Sequence, residues 1–235
     1  MVRVHEVEPG WYVVDLAFQH VPHVIASYVF VGREGATVVD TGPQTTLSTL
    51  LAALSELGIG EAHVRNLVLT HIHLDHAGAA GHLLEHFPQA RVFVHPVGAP
   101  HLVDPSRLWA SATRIYGERM EQLWGEIRPC PADRVVVVDD NETIDLGGGR
   151  RLRALATPGH ASHHHAYLDT ASGSVFAGDV AGIRIGGQRF VFPPTPPPDI
   201  DLGQWRRSIE RLRQLRPARL YLGHFGAVDD PEWHF

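Results

Sequence analysis

The order of apolar and polar residues along the chain predicts strands that alternate with helices. Short apolar runs bounded by glycine are typical of strands, and longer stretches with apolar residues every three to four positions are typical of helices. The predicted strands cover residues 11–15, 25–31, 36–40, 66–70, 91–95, 134–138, 151–156, 165–168, 174–177 and 219–222. The predicted helices cover residues 45–57, 77–87 and 200–215. This alternation favours an α/β architecture.

Two stretches depart from the alternation. Residues 97–131 carry apolar residues at helical spacing, and we expect a helical insertion that covers one face of the domain. Residues 192–198 are rich in proline, which excludes a helix or a central strand and predicts a stiff loop. Asp199 or Asp201 is expected to cap the helix that follows. We predict a single domain over residues 1–235, and the abrupt end of the sequence leaves open a C-terminal continuation.

Composition and charge argue against several classes of protein. Hydrophobic residues make up 44% and charged residues 20% of the chain, which is ordinary for a globular domain. The formal net charge is -6 and no block of basic residues occurs, so we expect no nucleic-acid partner. The single cysteine, Cys130, excludes an internal disulfide and cysteine-rich zinc sites. The N-terminus lacks a signal-peptide pattern and no apolar run reaches transmembrane length, so we expect a cytoplasmic protein without a membrane partner.

The candidate chemistry is concentrated where one predicted strand ends. An apolar run leads into the sequence T-H-I-H-L-D-H of residues 70–76, and histidine and aspartate side chains ligate divalent metals through nitrogen and oxygen. His71 and His73 point the same way in an extended chain. Asp75 and His76 lie where the chain turns into the next helix. The segment can therefore offer ligands to two neighbouring metal positions, which a chance clustering of the 17 histidines does not explain.

Three further candidates share the same context, because each follows an apolar strand and stands next to glycine. They are His160, Asp179 and His224. Taken singly, each of them is more often structural than a metal ligand. Because such turns place side chains at one end of a sheet, we expect the three to join the first cluster. The chain then offers five histidines and two aspartates on strand-end loops.

The combination resembles the metallo-β-lactamase fold superfamily, in particular the hydrolase branch that includes glyoxalase II-like thioesterases and lactonases. The resemblance rests on the H-x-H-x-D-H motif of residues 71–76, followed in the family's order by His160, Asp179 and His224. These motifs, together with an early strand-end aspartate, span residues 36–226. The resemblance implies a four-layer αββα sandwich in which the helical insertion is an addition.

The family pattern also implies a role for each candidate. The implied ligands of a first metal ion are His71, His73 and His160. The implied ligands of a second are Asp75, His76 and His224. Asp179 is expected to bridge the two ions. This donor set favours two zinc ions, and iron or manganese is also compatible with it.

Asp40 stands in the run V-V-D-T-G of residues 38–42, which resembles the family's early strand-end aspartate. The resemblance implies that its carboxylate orients a ligand histidine. The alternative is a carboxylate that only caps the turn before Thr41. The sequence leaves open the roles of four further histidines: His20, His23, His163 and His164.

The resemblance implies a hydrolase that cleaves a small ester, thioester or lactone. A hydroxide that bridges the two metal ions would attack the carbonyl carbon, and Asp75 is expected to act catalytically by moving a proton to the leaving group. Gly182 stands about where homoserine lactonases carry a tyrosine, which argues against that substrate. The segment after His224 has no counterpart of the helical extension with which glyoxalase II enzymes contact glutathione, which weakens a glutathione thioester.

Two other functions stay open at this point. A mononuclear iron persulfide dioxygenase uses the same fold with fewer ligands, and a catalytically silent metal-binding module would need no turnover. The complete ligand set argues against the silent module, and the metal content separates a dioxygenase from a hydrolase. The expected partner is a small-molecule substrate, and exposed aromatic residues in the insertion would suit a homodimer.

Overall fold

The computed structural model describes residues 3–185 and 189–235, which form two β-sheets and the helices that cover them. The first sheet has the strand order β1 (Arg3–Glu8), β2 (Trp11–Asp15), β3 (Ala26–Gly32), β4 (Gly35–Val39), β5 (Val64–Val68), β6 (Arg91–Val94) and β7 (Val135–Val137). Its first four strands are antiparallel, and β4 to β7 are parallel.

The second sheet is built from the C-terminal part of the chain. Its strands are β8 (Thr143–Asp145), β9 (Arg151–Ala156), β10 (His165–Asp169), β11 (Val175–Gly178), β12 (Leu220–Leu222) and β13 (Gly226–Val228). They lie in the order β13-β12-β11-β10-β9-β8, and the pair β11 and β12 is parallel while the other pairs are antiparallel. The short strands β1, β8 and β13 were not predicted from the apolar pattern.

The helices are α1 (Leu47–Glu56), α2 (Leu74–Ala77), α3 (Ala80–His86), α4 (Ala99–Val103), α5 (Ser106–Tyr116), α6 (Met120–Trp124), α7 (Leu202–Gln214) and α8 (Pro231–His234). The helices α4, α5 and α6 all lie within the predicted insertion. The proline-rich stretch contains neither a helix nor a regular strand. In the described part of the chain, no helix combines the length and the apolar character that a membrane crossing requires.

Adjacent residues of the central strands face different cores, because side chains alternate across a sheet. Val38 belongs to the core under α1, whereas its neighbour Val39 belongs to the core between the two sheets. In the second sheet, Tyr167 lies in the core between the sheets, and Ala166 lies in a third core with Trp205 of α7. One core lies between α1 and the first sheet, one between the two sheets, and one between the second sheet and α7. These layers confirm the predicted four-layer sandwich.

Buried tyrosines tie the two sheets together next to the ends of the strands. The Tyr28 hydroxyl donates to the Leu222 carbonyl oxygen at 2.7 Å, and the Tyr167 hydroxyl donates to the Leu69 carbonyl oxygen at 3.0 Å. Burial is the main cause that raises the pKa of both phenols, so they remain donors. A buried hydroxyl without a partner is costly, and these bonds therefore fix the relative position of strand ends that lead into the candidate ligands.

One predicted helix is wrong in its bounds, since residues 77–87 do not form one helix. The chain forms α2 and then α3, and α2 already starts within the histidine-rich motif. The break lies at Gly78, where an added Cβ would lie 3.1 Å from Pro43 Cα and 2.4 Å from the Leu74 carbonyl oxygen. Glycine at this position permits the close approach of the Pro43 backbone.

Candidate metal centre

The seven predicted ligands come from the loops that follow β5, β9, β11 and β12, and they converge at one edge of the sandwich. Three groups of side chains each bring one nitrogen or oxygen atom within 4.8 Å of the others in the group. The groups are His71, His73 and His160; His71, His76 and Asp179; and Asp75, His76 and His224. Three ring nitrogens or carboxylate oxygens within such a distance can hold a divalent ion, and the structure brings all seven candidate ligands together.

Hydrogen bonds to the outer ring nitrogens determine which nitrogens face the centre. His224 Nδ1 lies 2.8 Å from the Val24 carbonyl oxygen, and His76 Nδ1 lies 2.8 Å from Asp40 Oδ2. Because carbonyl and carboxylate oxygens only accept, each Nδ1 carries a proton, and when the ring is neutral its Nε2 is the unprotonated nitrogen. These two Nε2 atoms are 3.3 Å apart.

His160 shows the same arrangement on the other side of the centre. Its Nδ1 donates to the Pro194 carbonyl oxygen at 3.0 Å, which leaves its Nε2 unprotonated at 3.1 Å from His73 Nδ1. Its ring packs edge-on against Trp205 of α7, with 5.5 Å between the ring centroids. Helix α7 and the proline-rich loop therefore hold the orientation of this ring together.

The inner atoms of the cluster lack protein partners. His71 Nε2 and Asp179 Oδ1 are buried and have no hydrogen-bond partner among the described residues. His160 Nε2 lies 3.1 Å from His73 Nδ1 and His76 Nε2 lies 3.3 Å from His224 Nε2, and when both nitrogens of such a pair are unprotonated their lone pairs repel unless a cation lies between them. In a tetrahedral zinc site with Zn–N distances of about 2.0–2.1 Å, ligand atoms lie about 3.3 Å apart. The residues present therefore fit divalent cations in both number and spacing.

Asp40 links the first sheet to the histidine-rich loop. Its Oδ1 accepts from the Thr70 amide at 2.8 Å, and its Oδ2 accepts from the Thr70 hydroxyl at 2.8 Å in addition to His76 Nδ1. The Thr70 oxygen in turn lies 3.0 Å from His71 Nδ1. Asp40 has φ 57°, in the left-handed region that few residues other than glycine adopt. The backbone strain and these contacts together indicate a carboxylate that orients ligands rather than one that only caps a turn.

The charges of the cluster divide it into two halves. Burial lowers the pKa of His71 and lowers that of His73 to about 3, with repulsion from neighbouring histidines as a further cause. Burial also opposes protonation of His76 and His224, but nearby carboxylates, Asp179 first among them, outweigh it and raise the pKa of both. The half around Asp75, His76 and His224 is therefore the more attractive one for positive charge.

Close backbone approach shapes the floor of the centre at two glycines. An added Cβ at Gly223 would lie 2.5 Å from His76 Cε1, and one at Gly178 would lie 2.6 Å from His164 Nε2. His164 accepts from the Asp179 amide at 3.1 Å and lies 2.8 Å from the Thr157 hydroxyl. This fully buried histidine therefore fixes the loop that carries Asp179, a role that the sequence had left open.

The three other histidines whose roles the sequence left open fall into two groups. His163 is buried and lines the cavity next to the metal centre, and the Ile72 amide lies 3.4 Å from its Nδ1. His20 and His23 are exposed and do not line the cavity. Sequence reasoning missed the carbonyl oxygens of Val24 and Pro194, because a backbone acceptor leaves no residue-type signal. It also missed Thr70, although a hydroxyl directly before the first candidate ligand is a signal for a hydrogen bond to that ligand.

A cavity of about 390 Å³ opens above the centre. Its floor includes His73, Asp75 and Asp179, and its walls come from the insertion and from the proline-rich loop. Leu108, Tyr116 and Trp124 line it, while Trp109 packs on the other side in the small core of the insertion. The predicted insertion and loop thus both border the candidate site.

Comparisons with known proteins give a consistent result. The family model described as metallo-beta-lactamase superfamily matches residues 20–224. A metallo-beta-lactamase fold-containing protein of Sulfurisphaera tokodaii is 31% identical over 88% of this chain and 75% of its own length. A hydroxyacylglutathione hydrolase of Synechococcus sp. is 30% identical over 84% of this chain, which spans 62% of that relative. An atrochrysone carboxyl ACP thioesterase of Aspergillus fumigatus is 25% identical over 71% of this chain and 40% of its own length.

Solved structures show the same fold. An archaeal metallo-beta-lactamase superfamily protein from Sulfolobus tokodaii superposes with a TM-score of 0.77 at 29% identity, covering 96% of this chain and 83% of its own. A metallo-beta-lactamase family protein from Thermus thermophilus also gives a TM-score of 0.77, at 27% identity, covering 97% of this chain and 78% of its own.

Proposed function

Because this chain belongs to the metallo-β-lactamase superfamily, we propose that it is a metal-dependent hydrolase of a small ester, thioester or lactone. The observation that carries the proposal is the crowding of histidine ring nitrogens and carboxylate oxygens at the floor of an open cavity. Relatives named as a hydroxyacylglutathione hydrolase and as an ACP thioesterase support hydrolysis of an acyl bond.

The proposed centre holds two cations. His71, His73 and His160 would hold the first, and Asp75, His76 and His224 would hold the second. Asp179 would contact both, since it lies between the two groups. Two zinc ions bound there would supply Lewis acidity, which activates water and polarises a carbonyl group. The presence of a complete second group of ligand atoms favours two metals over a mononuclear iron centre.

Asp75 is the proposed proton carrier of the reaction. Its side chain is 23% exposed and lines the cavity, so it can reach a bound substrate, whereas Asp179 is buried. Burial alone would favour its neutral form, but His76 and His224 outweigh burial and lower the pKa of its carboxyl. An ionised carboxylate at the cavity floor can accept a proton from water and pass it to the leaving group.

Asp40, Thr70 and the carbonyl oxygen of Pro194 are proposed to position the ligand rings. They act through the protons on the outer ring nitrogens, because each such bond keeps the inner nitrogen free as a donor to metal. The chain itself therefore prepares the centre before any substrate binds.

Metal analysis combined with a hydrolysis screen tests the proposal. Protein reconstituted with zinc should bind two ions per chain and hydrolyse at least one member of an ester, thioester and lactone panel. His73→Ala should lose activity by at least roughly 100-fold, and His86→Ala, which removes an exposed histidine away from the site, should not. At a zinc concentration that loads two ions per chain in both proteins, Asp75→Asn should lower turnover by roughly 100-fold.

The contrary outcomes are equally specific. Normal turnover in Asp75→Asn with its full metal content would contradict the proton-carrier role. One iron per chain, with oxygen uptake on glutathione persulfide, would support the dioxygenase alternative instead. No turnover across the panel with two ions bound would leave a silent metal-binding module.

A further inference from the structure

One side of helix α5 faces the cavity above the metal centre. Leu108, Ala112, Ile115 and Tyr116 all line the cavity, and their spacing of three, four and eight positions places them on one face of a helix. Trp124 of α6 continues this wall. Tyr116 and Trp124 pack edge-on with ring centroids 5.0 Å apart, so the wall is supported from within the insertion.

The opposite wall is also apolar. It includes Pro194, Pro196 and Pro197 from the proline-rich loop, and Ile72 and Val97 close the side between the two walls. Proline contributes no backbone amide, so this wall offers few hydrogen-bond donors to a bound molecule.

Two large apolar side chains in the cavity remain exposed to solvent. Ile115 retains 44% and Val97 retains 48% of its accessible surface, although most comparable residues of this chain are buried. Single exposed apolar residues are ordinary, but these two share a cavity whose floor carries His73 and Asp75. A molecule that is bound for reaction at the floor would therefore cover them.

The charged groups at the cavity do not select for a charged end of a substrate. Arg107 and Asp199 both line it and carry opposite charges, and Asp199 Oδ2 already accepts from the Ser162 hydroxyl at 2.9 Å. Apart from the candidate ligands and two histidines, His101 and His163, these are the charged side chains among the described residues of the lining, and their opposite charges do not favour an anion over a cation. The apolar walls are then the dominant source of binding free energy for a substrate.

We propose that the cleft between α5 and the proline-rich loop binds an apolar alkyl or aryl group of the substrate, on its acyl side or its leaving-group side. The substrate class is accordingly an ester, thioester or lactone that carries a medium-length apolar chain, and this inference rests on the proposed hydrolase function. The cavity of about 390 Å³ lies at the smaller end of the range of ligand pockets, which suits a small molecule.

Two series of esters test the proposal on the zinc-reconstituted protein. The first lengthens the acyl group from p-nitrophenyl acetate to butyrate, hexanoate and octanoate, and the second lengthens the alcohol of simple acetate esters. In the series that fills the cleft, kcat/KM should rise roughly fourfold for each buried methylene group. The other series should stay nearly flat, which identifies the side of the substrate that enters the cleft.

Ile115→Trp narrows the cleft with a side chain that begins at an exposed position, so the fold should tolerate it. It should lower kcat/KM for the longest substrate at least tenfold more than it lowers kcat/KM for the acetate. Thr113→Trp is the matched control, since Thr113 is exposed on the same helix and does not line the cavity. It should leave the whole length profile unchanged.

Binding of 1-octanol, followed through the fluorescence of Trp124, gives a readout that needs no turnover. The parent protein should bind it, Trp124→Phe should lose the signal, and Ile115→Trp should bind it at least tenfold more weakly. Octanol binding without hydrolysis of any ester would reject the proposed hydrolase but keep the apolar cleft. Equal kcat/KM values along both ester series, or a length profile that Ile115→Trp does not change, would overturn the inference.

Discussion

Asp40 does not line the cavity, yet its side chain holds the positions of Thr70 and His76 at the candidate metal centre. The carboxylate makes three contacts with Thr70 and one with His76, and its backbone is held at φ 57°. A strained conformation is retained where the surrounding contacts require it. Here the contacts connect the end of β4 to the start of the histidine-rich loop, and thereby couple the sheet to the ligand rings.

Asp40→Asn tests that coupling. The amide group has one acceptor oxygen, so it cannot serve Thr70 and His76 together, and its NH₂ group opposes the His76 Nδ1 proton. We expect zinc affinity to fall by about 10–100-fold, as measured by competition with a chromogenic chelator. The far-ultraviolet circular dichroism should be unchanged, because asparagine tolerates the left-handed region. Asp133→Asn, at an exposed position, is the control, and an affinity within twofold of the parent would contradict the positioning role.

At the scale of elements, helix α7 supports the candidate metal centre through its contact with His160. Trp205 on its inner face packs against the His160 ring and donates from its indole to the Val180 carbonyl oxygen at 2.6 Å. The Asp201 side chain caps the helix by accepting from the Gln204 amide at 2.9 Å. Of the two caps that the sequence allowed, Asp201 is therefore the one used, and Asp199 bonds Ser162 instead.

Asp201→Ala and Asp199→Ala should differ in their effect on stability. Removal of the cap leaves an amide of the first turn without its partner, and we expect the melting temperature to fall by roughly 2–4 °C. Asp199→Ala removes only an exposed contact to Ser162, so its melting temperature should lie within about 1 °C of the parent. Differential scanning calorimetry of the zinc-loaded proteins measures both. Equal shifts in the two variants would argue against Asp201 as the effective cap.

At the scale of the whole molecule, the candidate ligands come from both sheets. Asp40 and the motif of residues 70–76 follow strands of the first sheet, whereas His160, Asp179 and His224 follow strands of the second. Cations held by ligands from both sheets would stabilise the packing of one sheet on the other. We therefore expect stability and metal binding to be linked.

Removal of metal should lower the stability of the whole domain. A ligand present at about 100 times its Kd stabilises the native state by about 2.7 kcal/mol, which corresponds to a change of roughly 5–10 °C in melting temperature for a chain of this size. Differential scanning fluorimetry with and without excess EDTA measures the change. His73→Ala should show a smaller difference between the two conditions, and an identical melting temperature of the parent in both would contradict the linkage.

Buried neutral histidines should make the domain sensitive to acid. His165 is fully buried, neither ring nitrogen has a partner among the described residues, and burial lowers its pKa to about 3. Its unfolded pKa is about 6.5, so the unfolded chain binds the proton first as the pH falls. The stabilising contribution is therefore complete above about pH 6.5 and decreases progressively toward pH 3.

His165→Phe removes this titration while it keeps an aromatic ring in the same space. Between about pH 6.5 and 4.5 the free energy of unfolding should decrease by about 2 kcal/mol less in the variant than in the parent. Urea denaturation at matched pH values and equal zinc concentration measures the difference, since the other ionisable groups are common to both proteins. The exposed His86→Phe serves as control and should follow the parent. Parallel curves for the parent and His165→Phe would contradict the assignment.

The apolar pattern predicted most strands, because half-buried and fully buried strands carry a residue-type signal. It missed β1, β8 and β13, which lie at sheet edges, and it did not locate the break between α2 and α3 near Gly78. The histidine and aspartate motifs predicted the members of the centre, since ligand chemistry is a property of the side chains themselves. The sequence pattern could not predict His164 as the support of the Asp179 loop, because that contact depends on the pairing of the second sheet.

By itself the sequence determined the fold class, the insertion and the identity of the seven candidate ligands, because periodicity and side-chain chemistry are local properties of the chain. Only the tertiary structure decided which nitrogen of each ring faces the centre, since backbone carbonyls such as those of Val24 and Pro194 take up the outer protons. It also decided which face of α5 lines the cavity. Both follow from contacts between residues far apart in sequence, and the free energy of such contacts exists only once the two sheets and the insertion have packed together.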